Sequence, residues 1–283
     1  MEYPGPLVST KWLAEHLDEQ DVILVDGTVH LPDTGRNAAQ EYREEHIPGA
    51  LFFDLETIAD PDNPRPRKVP PRSLFEREVG KLGIDNTKLI VAYDTPGLYS
   101  AARVWWLFRL YGYDNVTVLD GGMKAWKLEG LPVESGAVTL PPTTFRAGET
   151  REPLLSRWAD VLQISQNGGQ ILDARTAGRW AGTEVDRYPG TRPGHIPNSM
   201  NLYWADLLDG ETRRFLSPDD VRARVEKAGV DFGEPIVLSC GSGLTACILA
   251  LGLHAAGKDD WSVYDGSWDE WGRNHDLPAG LKK

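Results

Sequence analysis

At 283 residues the chain exceeds one ordinary hydrophobic core and suits two domains of about 100–150 residues each. Its 41% hydrophobic and 25% charged residues are those of a soluble globular protein. A formal net charge of -12, with no basic stretch to offset it, argues against a nucleic-acid partner, and an anionic substrate would need its own cluster of Arg or Lys.

The N-terminal stretch through Leu17 has no basic region followed by an apolar run, and it is not Arg-rich, so neither a signal peptide nor a transit peptide is read there. The two cysteines, Cys240 and Cys247, lie seven residues apart in what reads as one loop and helix. That spacing suits free thiols in a reducing compartment better than a structural bridge, and a cytoplasmic location is expected. No metal-ligand spacing is present, and neither a metal nor another cofactor is expected.

In chain order, the apolar patterns predict a helix over 10–17 capped by Ser9 or Thr10, and a strand over 21–26. Next come a helix over 73–81 capped by Ser73, a strand over 89–93, a helix over 101–111 and a strand over 116–119. From Leu131 to Pro153 the chain is rich in Pro, Gly, Ser and Thr and lacks periodicity, which reads as a surface linker. Beyond it, strands are predicted over 170–173, 235–239 and 262–264, with a helix over 218–228 that has Ser217 as cap and Pro218 at its first position. Residues 236–253 are uncharged, but Gly241-Ser242-Gly243 interrupts them, so a buried strand, a loop and a helix from near Leu244 are expected rather than a membrane span. Strands alternating with helices predict an α/β fold, each domain a mostly parallel sheet flanked by helices. The domains are set at 1–135 and 154–283, with 136–153 as linker.

The chain repeats itself. His46-Ile47-Pro48-Gly49-Ala50 recurs as His195-Ile196-Pro197-Asn198-Ser199, and Leu119-Asp120-Gly121-Gly122 with Trp126 recurs as Tyr264-Asp265-Gly266-Ser267 with Trp271. Between these landmarks an ungapped match sets Asp94 opposite Cys240, and Gly97-Leu98 opposite Gly243-Leu244. Two copies of a long unit read as domain duplication.

Cys240-Gly241-Ser242-Gly243-Leu244-Thr245 follows a predicted buried strand, at the strand end where parallel α/β folds bind ligands. Glycines let the backbone curl so that successive N–H groups point inward, and the following helix adds the positive end of its dipole. A cysteine at the rim of that cradle is expected to be a good nucleophile, and the same N–H groups would stabilise a persulfide anion. Cys247 falls in a run that is apolar almost all round and is expected to be core.

With its paired His-Ile-Pro turns, a cysteine loop ending in Gly-x-Thr, and Tyr264-Asp265-Gly266-Ser267-Trp268, the chain resembles the tandem-domain rhodanese-like sulfurtransferases from about Val8 to Trp271. Within that family the Cys-Gly-Ser-Gly-x-Thr loop is similar to that of the 3-mercaptopyruvate enzymes; thiosulfate enzymes tend to carry basic residues where this chain has Gly241 and Ser242. The resemblance implies a catalytic Cys240 that carries sulfur as a persulfide, with Ser242 in the active loop and Gly241, Gly243, Leu244 and Thr245 lining the substrate. It further implies that Arg179 and Arg187 bind the carboxylate and ketone of a 2-oxo acid, a task for planar bidentate donors that Arg192 could share. The acceptor implied is a thiol such as thioredoxin or glutathione, or cyanide in an assay. The N-terminal copy, with Asp94 in place of the cysteine, is expected to be catalytically silent.

Some mercaptopyruvate enzymes are proposed to use a Ser–His–Asp relay. Here the serine matches Ser242, but the Asp position falls at Glu56 and the His position near Arg67 or Lys68, and an arginine or lysine is a poor general base. His46 and His195 occupy matching places in both copies, which suggests structural turns, and Trp105, Trp106, Trp126, Trp268 and Trp271 read as core and walls. Three alternatives stay open: a thiosulfate sulfurtransferase; a non-enzymatic sulfur-carrier or binding module; and, disfavoured by Ala246 where a phosphate-gripping arginine is required, a cysteine phosphatase.

Overall fold

A computed structural model describes residues 2–31 and 34–281. The chain divides into two compact units, Met1–Arg151 with Gly210–Arg214, and Glu152–Asp209 with Phe215–Lys283.

In the first unit the order is β1 (Leu7–Val8), α1 (Thr10–His16), β2 (Val22–Asp26), α2 (Ala38–Glu44), β3 (Leu51–Phe52), α3 (Arg72–Lys81), β4 (Leu89–Tyr93), α4 (Ala101–Leu110), β5 (Val116–Leu119) and α5 (Gly122–Leu128). The strands form one parallel sheet in the order β1-β5-β4-β2-β3. The second unit repeats the plan with β6 (Leu155–Ser156), α6 (Trp158–Gln166), β7 (Gln170–Asp173), α7 (Ala177–Ala181), β8 (Met200–Asn201), α8 (Pro218–Lys227), β9 (Ile236–Ser239), α9 (Ala246–Ala255), β10 (Trp261–Tyr264) and α10 (Ser267–Trp271). Its sheet runs β6-β10-β9-β7-β8, again all parallel.

Each central strand, β4 or β9, is buried at every position, as a strand covered by helices on both faces must be. The sequence-predicted strands are present to within one residue. Missing from that reading were the two-residue edge strands and the short helices α2, α5, α6, α7 and α10. Ser9 and Ser217 cap their helices, accepting from Trp12 N–H at 3.1 Å and Asp220 N–H at 3.2 Å. Ser73 does not cap α3: that helix begins at Arg72 behind the extended Pro71, which leaves Ser73 inside its first turn. Helix α9 starts at Ala246, two residues later than expected from Leu244, because the intervening loop curls on itself before the helix begins. Among the described residues no helix is long and apolar enough to cross a membrane.

The ends of β2 and β7 carry matching aspartates with different partners. Asp173 is gripped by the Arg175 guanidinium, Nη2 donating at 2.7 Å and Nε at 3.0 Å. Asp26 is as deeply buried but has a threonine in place of the arginine, accepting from the N–H of Thr28 at 2.9 Å and from its hydroxyl, with the Tyr93 side chain as a further partner. Burial, reinforced by the neighbouring Asp94 carboxylate, pushes the Asp26 carboxyl up to about 6 against the Thr28 bonds. Its folded value lies above its unfolded value of about 4, so between about pH 4 and about pH 6 the folded state binds more protons and stability falls as pH rises. Asp26→Asn removes this titration while keeping an oxygen for Thr28. Urea unfolding of the variant is expected to show a flatter pH dependence across that window and a higher midpoint near neutrality; an unchanged slope would refute the assignment.

Candidate active site

Strand β9 ends at Ser239, and the next six residues, Cys240–Thr245, form a loop buried throughout. Gly243 makes the turn possible. Its φ is +80°, and a Cβ there would lie 2.6 Å from the Asp265 carbonyl oxygen. In that conformation Gly243 N–H points back and donates to Cys240 Sγ at 3.1 Å, while the Cys247 thiol, one turn into α9, donates to the Gly243 carbonyl at 3.3 Å. Cys247 is buried in the core and also pins the loop.

The outer side of the loop is held by α10. Trp268 N–H donates to the Cys240 carbonyl at 3.0 Å and Asp269 N–H to the Gly241 carbonyl at 2.8 Å. Ser267 accepts from Cys240 N–H at 3.0 Å and donates to the Tyr264 carbonyl at 2.7 Å, with its oxygen 3.9 Å from Sγ. Ser267 adopts φ +50°, a conformation that costs about 1 kcal/mol for a non-glycine residue. The matching position in the first unit is Gly122, at φ +55°. The second unit thus accepts strain to place a hydroxyl against the cysteine.

In the first unit the same turn holds a carboxylate. Asp94 Oδ2 accepts from the N–H groups of Tyr99, Ser100 and Ala101 at 2.7, 2.6 and 2.7 Å, at the start of α4. Met123 N–H donates to the Asp94 carbonyl at 3.0 Å, as Trp268 does to Cys240. The carboxyl is raised by complete burial, against which the backbone donors act.

Beside the cysteine loop, Arg179 in α7 brings Nη2 within 2.9 Å of the Cβ position of Gly241 and donates from it to Asp186 at 2.8 Å. Asp186 also accepts from Arg175 at 2.9 Å, and Arg175 stacks over the Trp268 ring. Four buried groups therefore alternate in sign: Asp173, Arg175, Asp186 and Arg179. Burial opposes the Asp186 charge, but Arg179 and then Arg175 outweigh it and hold the carboxyl below its ordinary range. For Arg175 burial opposes the charge, and Asp173 and Asp186 raise it. Arg179 Nε is buried and has no partner.

Of the residues singled out from sequence, the structure brings Cys240, Gly241, Ser242, Gly243 and Arg179 together. Arg187 is exposed and has no partner among the described residues. Its neighbour Tyr188 turns inward instead and donates to Ser242 Oγ at 2.7 Å, a contact across 54 residues that sequence gave no signal for. Arg192 holds the carbonyls of Asn274 and Leu277, and its own carbonyl accepts from Trp268 Nε1 at 2.9 Å, so it anchors the C-terminal segment. Glu56 and Arg67 form an ion pair in the first unit. His46 and His195 are pinned through Nδ1 by the carbonyls of Tyr42 and Trp180 at 2.7 and 2.8 Å, and each bridges strand-like to a distant segment. All five named tryptophans are fully buried. Arg175 and Ser267 were not anticipated; Arg175, two residues past a strand-end aspartate, is the one a spacing argument could have found.

The rhodanese-like domain family matches residues 9–129 and 158–274. The 3-mercaptopyruvate sulfurtransferase of Escherichia coli K12 is 38% identical over 274 residues, 96% of each chain. The thiosulfate sulfurtransferase of Rattus norvegicus is 40% identical over 277 residues, 94% of this chain and 92% of its own. The crystal structure of SseA from Escherichia coli, described as a 3-mercaptopyruvate sulfotransferase, superposes with TM-score 0.85 at 37% identity, covering 93% of this chain and 99% of that one.

Gly243→Ala combines a left-handed backbone with a Cβ driven against Asp265. It is expected to destabilise the second unit by about 1–3 kcal/mol in urea denaturation, and wild-type stability would show that the loop can relax around a side chain.

Proposed function

The chain belongs to the rhodanese-like domain family, in two copies, and on that premise we propose that it is a sulfurtransferase taking sulfane sulfur from 3-mercaptopyruvate through a Cys240 persulfide. The single observation that carries this reading is the cradle around Cys240, with Gly243 N–H on the sulfur at 3.1 Å, Ser267 at its back and an arginine beside it.

The first unit supports the persulfide. Asp94 occupies the cysteine's place, and its Oδ2 stands two bonds beyond Cβ, as the outer sulfur of a cysteine persulfide would. Three backbone N–H groups converge on that oxygen. The matching residues in the second unit are Thr245, Ala246 and Cys247, at the start of α9. A persulfide anion on Cys240 would extend toward them and toward the positive end of the helix.

In the forward reaction the Cys240 thiolate attacks the donor sulfur. The C–S bond breaks, and its electron pair passes into the enolate of pyruvate, which is then protonated. Arg179, held rigid by Asp186 and leaving Nε uncommitted, clamps the donor carboxylate or ketone. Arg187, exposed at the rim, steers the anion and adds a second positive charge. The outer sulfur then passes to a thiol such as thioredoxin or glutathione, or to cyanide in an assay. The unbridged state of Cys240 and Cys247 suits a reducing, cytoplasmic setting.

Thiosulfate is the second donor to consider, given the rat relative. The loop argues against it: Gly241 and Ser242 put no cation beside Cys240 for a dianion. Parallel turnover assays with cyanide as acceptor are expected to give faster thiocyanate formation from 3-mercaptopyruvate, with stoichiometric pyruvate, and none from Cys240→Ser. Faster turnover with thiosulfate would overturn the donor assignment. Arg179→Ala is expected to raise KM for 3-mercaptopyruvate by about 10–100-fold, the loss of a charged bidentate contact, and Arg187→Ala by only a few-fold; the reverse order in steady-state kinetics would exchange their roles.

A further inference from the structure

We propose that Tyr188 and Ser242 form a two-hydroxyl proton relay that protonates the departing enolate. This rests on the donor reading above and names the groups that complete its first half-reaction.

Ser242 is almost wholly buried, two residues beyond Cys240 and next to the N–H that contacts Sγ. Its oxygen accepts from the Tyr188 hydroxyl at 2.7 Å. Tyr188 is held against the loop, since Cε2 lies 2.5 Å from where a Gly241 Cβ would be. Arg179 Nη2 lies 2.9 Å from the same point. Only glycine at 241 lets both side chains close over the residue that follows the nucleophile. The tyrosine ring and the arginine thus meet at Gly241 and the tyrosine hydroxyl meets Ser242, the two residues that follow the nucleophile. His195 is held by the Trp180 carbonyl and stacks on that ring. The hydroxyl brought to Ser242 belongs to Tyr188.

The proposed transfer runs along the Tyr188–Ser242 bond, from Tyr188 to Ser242. As the Cys240 thiolate attacks the donor sulfur, the S–S bond forms and the C–S bond breaks, with its electron pair going to C3. Ser242 gives its proton to C3, Tyr188 gives its proton to Ser242, and the S–H of the new persulfide returns a proton to Tyr188. Cys240 thiolate and 3-mercaptopyruvate become the Cys240 persulfide anion and pyruvate. Both hydroxyls end as they began, and no external acid, oxidant or reductant is consumed. The step belongs to sulfur loading alone, because transfer of the outer sulfur to an acceptor generates no carbanion.

That restriction supplies the test. Tyr188→Phe keeps the ring against Gly241 and removes only the hydroxyl. Single-turnover pyruvate release from 3-mercaptopyruvate is expected to slow at least ~10-fold, while transfer from the slowly preloaded persulfide to cyanide keeps its wild-type rate. Ser242→Ala should show the same split, and the double variant should be no slower than either single one, as expected for two members of one relay. Pyruvate release by Tyr188→Phe should rise with the concentration of a small buffer acid, a rescue that repacking would not produce. Wild-type pyruvate release in Tyr188→Phe, or equal slowing of both half-reactions, would overturn the relay. A wild-type protein that forms no pyruvate from this donor, yet forms thiocyanate from thiosulfate, would overturn the donor reading, and the relay with it.

Discussion

The start of the helix after each central strand presents backbone N–H groups that have no partner within the helix and must find one in a buried place. Both units place an anionic or anion-forming group on the first residue after that strand. In the first unit it is the Asp94 carboxyl, raised by burial and engaged by three N–H groups. In the second the matching residue is Cys240, whose sulfur accepts from Gly243 N–H in the loop that leads into the helix. The donor on the carbonyl of the anchoring residue is matched as well, Met123 N–H in the first unit and Trp268 N–H in the second. The turn thus holds an acidic side chain where no thiol is present, and the proposed chemistry places there a side chain that can gain and lose a sulfur atom. An aspartate fills the turn with a group that cannot carry sulfur as a thiolate does.

Around the receptor, the second unit replaces neutral groups by charged ones. Thr28 in the first unit corresponds to Arg175 in the second, after the matching aspartates. Arg175 links Asp173 to Asp186, and Asp186 links onward to Arg179. A lone buried guanidinium would cost several kcal/mol; alternating signs remove that penalty and fix each side chain by its neighbours. The last guanidinium then stands beside Gly241 with its orientation set before substrate arrives. The cost of unpaired burial is visible in the first unit, where Asp26 lacks an arginine and its carboxyl rises to about 6.

The duplication, the parallel sheets and the cysteine loop were legible because each is local: alternating apolar runs, repeated turns, glycines around a cysteine. Arg179 was legible through a short motif. Tyr188 was not, since a tyrosine after an arginine in a loop carries no pattern and its partner lies 54 residues away. Arg187 read as the stronger candidate for the same reason, because charge is visible in a sequence and direction is not. Ser267 escaped notice because a serine gives no sign of a positive φ. Ser73 misled because any serine before an apolar run resembles a cap, whereas Pro71 had already set the helix start.

The charge count of the site bears on the donor it accepts. Asp173, Arg175, Asp186 and Arg179 sum to zero, and Gly241 and Ser242 add nothing. A monoanionic 2-oxo acid placed on Arg179 leaves one negative charge, which the exposed Arg187 can balance across solvent. A dianion would leave a second charge in a buried loop whose remaining polar groups are hydroxyls and N–H groups. At an effective dielectric of about 20, an uncompensated charge about 4 Å from Cys240 thiolate would be repelled by roughly 4 kcal/mol, or about three orders of magnitude in rate. On the proposed donor assignment, discrimination would follow from what the loop's own side chains lack: Arg179, the guanidinium at Gly241, is already paired with Asp186, and Gly241 and Ser242 add no further cation for a second negative charge.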